Sequence, residues 1–171
     1  LIFKEQDVII RTLRDYFTTD IDEVVLDNDE AYDRAAEYMH LVMPKHRSTL
    51  SRYVERRPIF HHYRIEEQLE ALYSPLVTLP SGGSIVIEPT EALVAIDVNS
   101  GKQKAGDHEA TALQTNLEAA VEVSRQLRLR DLGGIVVVDF IDMVSTRNKT
   151  RVERAIQAAL ADDKARIKTG R

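Results

Sequence analysis

The second half of the chain alternates strand-like aliphatic runs with long helical patterns, and this order constrains the fold most. Short β-branched runs occupy residues 84–88 and 92–98, and a helical pattern follows over residues 107–130. Four aliphatic residues at 135–138 then precede a second helical pattern at 152–160. The order strand, strand, helix, strand, helix is typical of an α/β layer in which helices cover a sheet.

Turn residues between these segments indicate how the strands pair. Pro89-Thr90 joins the first two strands by a short connection, which predicts an antiparallel hairpin. Gly133-Gly134 ends the long helix, and the run at 135–138 is typical of a strand that is buried on both faces. We therefore expect an α/β fold with a mixed sheet flanked by helices.

The first half of the chain has a shorter helix, strand, helix pattern. Apolar residues recur at helical spacing over residues 5–17, and residues 23–26 have the character of a short strand. A second helical pattern at 31–42 is expected to begin with Asp29 as its cap and to end before Pro44. These residues predict a smaller α/β part.

A break near the middle of the chain suggests two parts. Residues 45–57 are basic and weakly periodic, which predicts an extended or irregular stretch, and residues 65–73 then favour a short helix. That helix is expected to turn three residues towards a core: Ile65, Leu69 and Leu72. Because a proline- and glycine-rich stretch follows, we expect one part at residues 1–73 and another at residues 74–171.

The composition excludes several classes of protein. The chain has 171 residues, 43% hydrophobic and 30% charged, and can bury the core of one domain or of two small ones. It has no cysteine, which excludes disulfides and fits the reducing cytoplasm, where we expect it to act. No apolar run approaches the roughly 18 residues of a membrane helix. Because the chain opens at Leu1 and stops without a natural tail, we expect an excised piece of a longer protein.

The net charge of −5 at first argues against a nucleic-acid partner, since phosphate binding rests on Lys and Arg. Acidic residues are frequent in the first half, however, whereas many basic residues lie in the second half. The latter include Arg125, Arg128, Arg130, Arg147, Lys149, Arg151 and Arg154. A metal-dependent nuclease also needs acids to hold its ion, so mild acidity does not exclude one. Alternatively, these charges only solvate helix faces.

Two aspartates stand where predicted strands end, Asp97 after one aliphatic run and Asp139 after another. In open α/β sheets, ligand sites gather at the carboxyl ends of the strands, so the two carboxylates converge if their strands are neighbours. Their shared negative charge then needs a cation or hydrogen-bond donors nearby. Mg²⁺ fits this arrangement, because it takes hard oxygen ligands and often binds one or two carboxylates plus water and phosphate.

Asn99 and Asp142 follow these aspartates closely in sequence. Asn99 lies two residues beyond Asp97, so in an extended strand its amide shares a face with that carboxylate and could orient water or a phosphate. Alternatively, Asp97 and Asn99 only form turn hydrogen bonds. Asp142 shares a face with Asp139 if a helical turn begins there, and is then a further candidate metal ligand; otherwise it caps a helix or supports the ligands.

Several basic residues are candidates for binding a phosphate backbone. Arg125 and Arg128 are three residues apart on the long predicted helix, so they share a side and can contact phosphate. Alternatively, arginines at this end of the helix offset its dipole. Lys102 and Lys104 lie in the predicted loop after the hairpin, and loops beside a scaffolded site commonly carry function.

Long blocks of the sequence resemble the catalytic region of the ribonuclease E/G family. They are TEALVAIDVNSG at residues 90–101, TNLEAA at 115–120, RQLRLRDLGG at 125–134 and VDFIDM at 138–143. These matches are specific, and the resemblance extends over essentially the whole chain.

The resemblance implies a deoxyribonuclease I-like subdomain from residue 74 onward and part of a ribonuclease H-like subdomain before it. The family's two metal-binding aspartates fall on Asp97 and Asp139, its catalytic asparagine on Asn99, and an RNA-contacting arginine on Arg166. The implied cofactor is Mg²⁺, for which Mn²⁺ can substitute. The Cys-x-x-Cys motif of the family's zinc link is absent from this sequence.

The implied activity is that of an endoribonuclease in RNA processing and decay, which hydrolyses single-stranded, A/U-rich RNA to 5′-phosphate and 3′-hydroxyl ends. The full-length protein is expected to be a homo-oligomer. Without the family's oligonucleotide-binding barrel, this chain alone is expected to bind Mg²⁺ weakly and to cleave RNA poorly or not at all. Two other functions stay open: a metal-dependent deoxyribonuclease or phosphodiesterase, and a noncatalytic RNA-binding module.

Overall fold

The computed structural model describes residues 7–101, 108–161, 163 and 165–170. The chain divides into two compact units, Leu1–Glu66 and Glu67–Arg171. The boundary predicted from the sequence, after residue 73, lies a few residues further along. Both units combine helices with strands, so the chain is an α/β protein.

The first unit contains a two-stranded parallel sheet and the helices around it. Its elements are α1 (Val8–Tyr16), β1 (Val24–Leu26), α2 (Asp29–Val42), a 3₁₀ helix (Pro44–Thr49), β2 (Leu50–Arg52) and α3 (Ile59–His62). β1 and β2 pair in parallel. Leu13, Ala35, Met39 and Leu50 form the buried core of this unit. The helix, strand, helix order predicted for residues 5–42 is therefore confirmed.

One prediction for the first unit was wrong and another was incomplete. Asn28, and not Asp29, caps α2: its backbone is extended and its Oδ1 accepts a hydrogen bond from the Ala31 amide at 2.9 Å. Residues 45–57, predicted to be extended or irregular, contain the extended strand β2 but also most of the 3₁₀ helix, which was not predicted. β2 has only three residues and pairs with the distant strand β1, so its own sequence does not show that it joins a sheet.

The second unit is built on a four-stranded mixed sheet with the strand order β3-β4-β5-β6. Its strands are β3 (Leu76–Thr78), β4 (Ser84–Pro89), β5 (Val94–Asn99) and β6 (Val136–Asp139). β3, β4 and β5 are antiparallel neighbours, and β5 pairs with β6 in parallel. The predicted hairpin of β4 and β5 and the predicted mixed sheet are therefore confirmed.

Helices α5 (His108–Leu129) and α6 (Thr146–Leu160) follow β5 and β6, while α4 (Ile65–Ala71) spans the boundary between the units. Ile87 and Ile96 of the sheet pack with Ala119 and Val123 of α5 in the main core, and Ile156 of α6 packs against that core. One face of the sheet is thus covered by the two helices.

Three predictions for these elements were wrong. β6 is not buried on both faces, since Val137 is 50% exposed and, in the described part of the chain, β6 has a strand neighbour on one side only. Leu69 of α4 is 43% exposed, so the apolar stripe predicted for α4 is not packed against a core. α6 begins at Thr146 rather than near residue 152, because Ser145 caps it and accepts a hydrogen bond from the Asn148 amide.

None of the helices in the described residues combines the length and the apolar character that crossing a membrane requires.

Candidate active site

Asp97 and Asp139 lie side by side on neighbouring strands. β5 and β6 pair in parallel, and their register makes the Cα atoms of these two residues direct partners. Neighbouring strands are about 4.8 Å apart, so the two carboxylates project from adjacent positions. Both residues are exposed. The sheet therefore brings together two acids that the whole of α5 separates in sequence.

The alternation of side chains along the strands decides which face carries the acids. The residues that alternate with Asp97 on β5 are buried, so Asp97 and Asn99 point to the opposite face. On β6, Val138 packs against the core, which puts Asp139 on the same face as Asp97. This open face is the one opposite α5 and α6, and it leaves both carboxylates accessible to a large substrate.

Asn99 contacts one of the two acids directly. Its Nδ2 donates a hydrogen bond to Oδ2 of Asp97 at 2.6 Å. Because both residues belong to β5, the bond links two positions on the same face of one strand. The amide thus orients the Asp97 carboxylate, and its own oxygen is an acceptor that a hard cation or a water molecule can use.

The donor set at this place fits a hard divalent cation. Two carboxylates on adjacent strands repel each other, and a cation between them offsets that repulsion. In the part of the chain that the structure describes, no three His, Cys, Asp or Glu side chains cluster so that they could hold a metal ion. Proteins commonly hold Mg²⁺ through one or two carboxylates, and waters and substrate phosphate supply its other ligands.

A turn with two glycines supports the end of β5. A Cβ added to Gly83 would lie 2.8 Å from the carbonyl oxygen of Asn99, and one added to Gly101 would overlap the carbonyl oxygen of Gly82. Gly82 itself has a φ of +89°, a conformation that favours glycine. The backbone beyond Asn99 therefore packs directly against the turn before β4, a contact that sequence analysis missed because it treated these glycines only as breaks.

Substituting Ala for Gly101 is therefore expected to destabilise the protein by about 1–3 kcal/mol, since the added methyl group collides with backbone atoms that cannot yield like a side chain. Urea denaturation followed by circular dichroism measures the change. Gly133→Ala is the matched control, because a Cβ at Gly133 has nothing within 4 Å and should change stability by less than about 0.5 kcal/mol. Equal stability of the two variants would contradict the packing described.

Asn116 of α5 holds the backbone beyond Asp139. Its side chain is fully buried, and it donates from Nδ2 to the carbonyl oxygen of Ile141 at 2.8 Å while its Oδ1 accepts from the Ile141 amide at 3.0 Å. Both polar groups of one loop residue are thus satisfied by one side chain. The sequence signal for this role is an amide inside the apolar stripe of a long helix, which was not recognised.

Two glutamates of α5 tie down further loops around the sheet. Glu109 accepts hydrogen bonds from the Asn148 side chain at 2.7 Å and from the amides of Val144 and Ser145, and these bonds lower the pKa of its carboxyl group. Glu118 accepts from the Ser81 amide at 2.9 Å. Burial alone would raise the pKa of Glu118, but the hydrogen bonds lower it overall. α5 thus anchors the turn before β4 and the start of α6.

Arg128 lies on the helix side of the sheet and is engaged there. Its Nη1 donates to Ser124 Oγ at 2.8 Å and to the carbonyl oxygen of Ala159 at 3.2 Å, near the end of α6. Arg125, with which a shared phosphate contact was predicted, instead pairs with Glu122 at 3.0 Å. The structure does not bring these arginines to the acids, because α5 covers the opposite face of the sheet.

Two further predicted site residues, Asp142 and Arg166, line one cavity. Asp142 lines a cavity of about 570 Å³ between β6, α5, α6 and residues 165–170, on the helix side of the sheet. No helical turn begins between Asp139 and Asp142. Arg166 lines the same cavity and is exposed. Lys102 and Lys104 lie outside the described residues.

Comparison with known proteins assigns the whole chain to one group. A family model described as the Ribonuclease E/G family matches residues 1–171. The chain is 51% identical over 172 residues to a protein named Ribonuclease E from Haemophilus influenzae and 48% identical over 169 residues to one of that name from Escherichia coli. It is 37% identical over 171 residues to a Ribonuclease E/G-like protein, chloroplastic, from Arabidopsis thaliana.

These alignments cover nearly all of the chain but a small part of each relative. They include 100% and 98% of the chain for the two bacterial proteins, and 18% and 16% of those proteins. For the Arabidopsis protein the shares are 98% of the chain and 17% of the relative. The chain therefore spans less than a fifth of the length of these relatives.

Proposed function

Because the chain belongs to the ribonuclease E/G family, we propose that it forms the metal-binding catalytic region of an endoribonuclease. The substrate is single-stranded, A/U-rich RNA, and the products carry 5′-phosphate and 3′-hydroxyl ends. The observation that carries the proposal is the register that makes Asp97 and Asp139 partners on the open face of the sheet.

The cation proposed for this place is Mg²⁺, with Mn²⁺ as a substitute. Asp97 and Asp139 would hold it through carboxylate oxygens, and the exposure of both residues leaves room for water and phosphate ligands. When bound, a divalent cation stabilises negative charge on phosphate oxygens and makes water a better nucleophile.

The residues of the chain orient the reacting groups. Asn99 holds the Asp97 carboxylate through its 2.6 Å hydrogen bond, and its amide oxygen can accept a hydrogen bond from the attacking water. In the reaction, the water oxygen forms a bond to phosphorus and the bond from phosphorus to the 3′ oxygen breaks. One proton of the water is lost and the 3′ oxygen gains a proton, which leaves a 3′-hydroxyl and a 5′-phosphate.

The basic residues have different roles. Arg166 is exposed and available for the RNA backbone, and Lys102 and Lys104 are assigned the same role from their position in sequence after β5. Arg128 instead positions α6, since its guanidinium already binds Ser124 and the Ala159 carbonyl oxygen.

We also propose that the two parts of the chain have the folds that the sequence resemblance implies. The mixed sheet with helices on one face supports a deoxyribonuclease I-like subdomain from residue 74 onward. The two-stranded parallel sheet with α2 supports part of a ribonuclease H-like subdomain in residues 1–73. The intact protein is proposed to be a homo-oligomer, and the substrate is proposed to complete the metal's ligand shell.

A comparison of RNA and DNA cleavage tests this function. A longer protein that contains the chain should cut a single-stranded A/U-rich RNA in Mg²⁺ and leave the DNA of the same sequence intact. The 171-residue chain alone should cut the RNA at least about a hundredfold more slowly, because the RNA strand is less firmly oriented. Cleavage of the DNA would make the protein a deoxyribonuclease, and Mg²⁺-independent RNA binding without cleavage would make it a binding module.

A further inference from the structure

Three arginines form a stripe on the solvent side of α6. Arg147, Arg151 and Arg154, here called the basic stripe, are all exposed. Their spacing of four and three residues places them within an arc of about 60° of the helix and along about 10 Å of its length. Val152 and Leu160 are buried on the other side. The stripe thus points away from the sheet.

The arginines of the two helices of this unit are used differently. Each arginine of α5, and Arg130 just beyond it, is held by protein groups: Arg125 by Glu122 and Gln68, Arg128 by Ser124 and the Ala159 carbonyl, Arg130 by Gln126 and the Ser74 carbonyl. Within the described residues, the three arginines of the basic stripe make no hydrogen bond or ion pair. Like charges at this spacing cost a helix a few tenths of a kcal/mol per pair, so the stripe does not stabilise α6.

Both ends of α6 are fixed, which holds the basic stripe in place. At the first turn, Glu109 accepts from Ser145 and Asn148. At the last turn, Ser124 donates to the Ala159 carbonyl oxygen at 2.7 Å. A surface whose backbone is already ordered loses less entropy when it binds a partner.

We propose that the basic stripe binds the phosphate backbone of an RNA segment that flanks the cleaved bond. This rests on the proposed function for the identity of the substrate. Guanidinium groups bind phosphate through paired hydrogen bonds, and a row of them matches a polyanion. The exposed face of α6 presents charge without aromatic or large aliphatic residues, unlike the core of a protein interface or a membrane-binding helix.

The position of α6 in the chain relates the stripe to the candidate active site. Residues 140–145 connect Asp139 at the end of β6 to the start of α6, so Arg147 is the member of the stripe nearest to the site in sequence. RNA that lies across the carboxyl ends of β5 and β6 can continue over this loop onto the helix layer. The stripe would then read no base and would extend the backbone contact beyond the cleaved bond.

Salt-dependent RNA binding tests the stripe. In a longer protein that contains the chain and carries Asp97→Asn to prevent cleavage, Arg147→Gln, Arg151→Gln and Arg154→Gln are combined. We expect the slope of log affinity against log salt for a long RNA to become less steep by about 2, since each lost phosphate contact removes roughly 0.7. Fluorescence anisotropy measures it, and circular dichroism verifies that the helix remains folded.

The matched control replaces the same three residues with Lys, which keeps the charge and should keep most of the slope. A short oligonucleotide that fills only the candidate active site should bind all variants equally. An unchanged slope in the Gln variant would overturn the proposal. So would a Gln variant that no longer binds an acidic peptide but still binds RNA as the parent does. Binding is measured without turnover, so absence of cleavage by the parent protein would count against the proposed function and not against the stripe.

Discussion

Replacing Asp97 or Asp139 with Asn should lower kcat for RNA cleavage by about three orders of magnitude in a longer protein that contains this chain. Asn has the shape of Asp without its charge, so each change removes one anionic ligand from a place where only two are available among the described residues. Both residues are exposed and lie outside the buried core, so the fold should persist.

Cleavage rates at saturating RNA, measured over a range of Mg²⁺ concentrations, decide this prediction. Glu88→Gln is the matched control, since Glu88 is an exposed carboxylate whose Cα partner is Ala95, on the same face of the sheet as Asp97. It removes the same charge from the same face and should leave kcat within about twofold of the parent, because surface charge alone contributes little. Turnover that survives in either aspartate variant would remove that residue from the active site.

Substitution of Asn116 by Ala should destabilise the protein by about 3 kcal/mol. The change deletes two hydrogen bonds and leaves the amide and the carbonyl oxygen of Ile141 without their partner in a mostly buried place. Because Ile141 follows Asp139 by two residues, the loosened loop should also reduce RNA cleavage in a longer protein.

Urea denaturation of the two variants Asn116→Ala and Gln114→Ala separates this effect from a general effect on α5. Gln114 is exposed on the same helix, and its side chain bonds only to Glu118 within the described part of the chain, so its loss should cost less than about 0.5 kcal/mol. If Asn116→Ala were as stable as Gln114→Ala, the two hydrogen bonds between Asn116 and Ile141 would not contribute to stability as described.

The elements with a strong periodic pattern were predicted well from the sequence. Residues 107–130 were expected to be helical, and α5 occupies His108–Leu129. The hairpin of β4 and β5 was recognised from two β-branched runs and a short proline-containing connection. In each case the segment is long enough for the spacing of its apolar side chains to distinguish a helix from a strand.

The elements that were missed or misjudged depend on partners distant in sequence. β2 and β3 have three residues each and are strands because β1 and β4 pair with them. The exposure of Val137 reflects its position on the sheet face that α5 and α6 do not cover, which four aliphatic residues in a row do not reveal. Likewise, Arg128 has an ordinary helical position in sequence, and only the structure shows its contact with the Ala159 carbonyl oxygen.

Side chains alternate along any extended backbone, so the order of residues was enough to place Asp97 and Asn99 on one face of a strand and Asp139 at the end of another. The folded chain was needed to show that these strands are parallel neighbours, with Asp97 opposite Asp139, and that α5 and α6 cover the other face. Register between strands is set by the burial of one whole face of the sheet against α5 and α6, and by the loops that α5 anchors, so no local pattern specifies it.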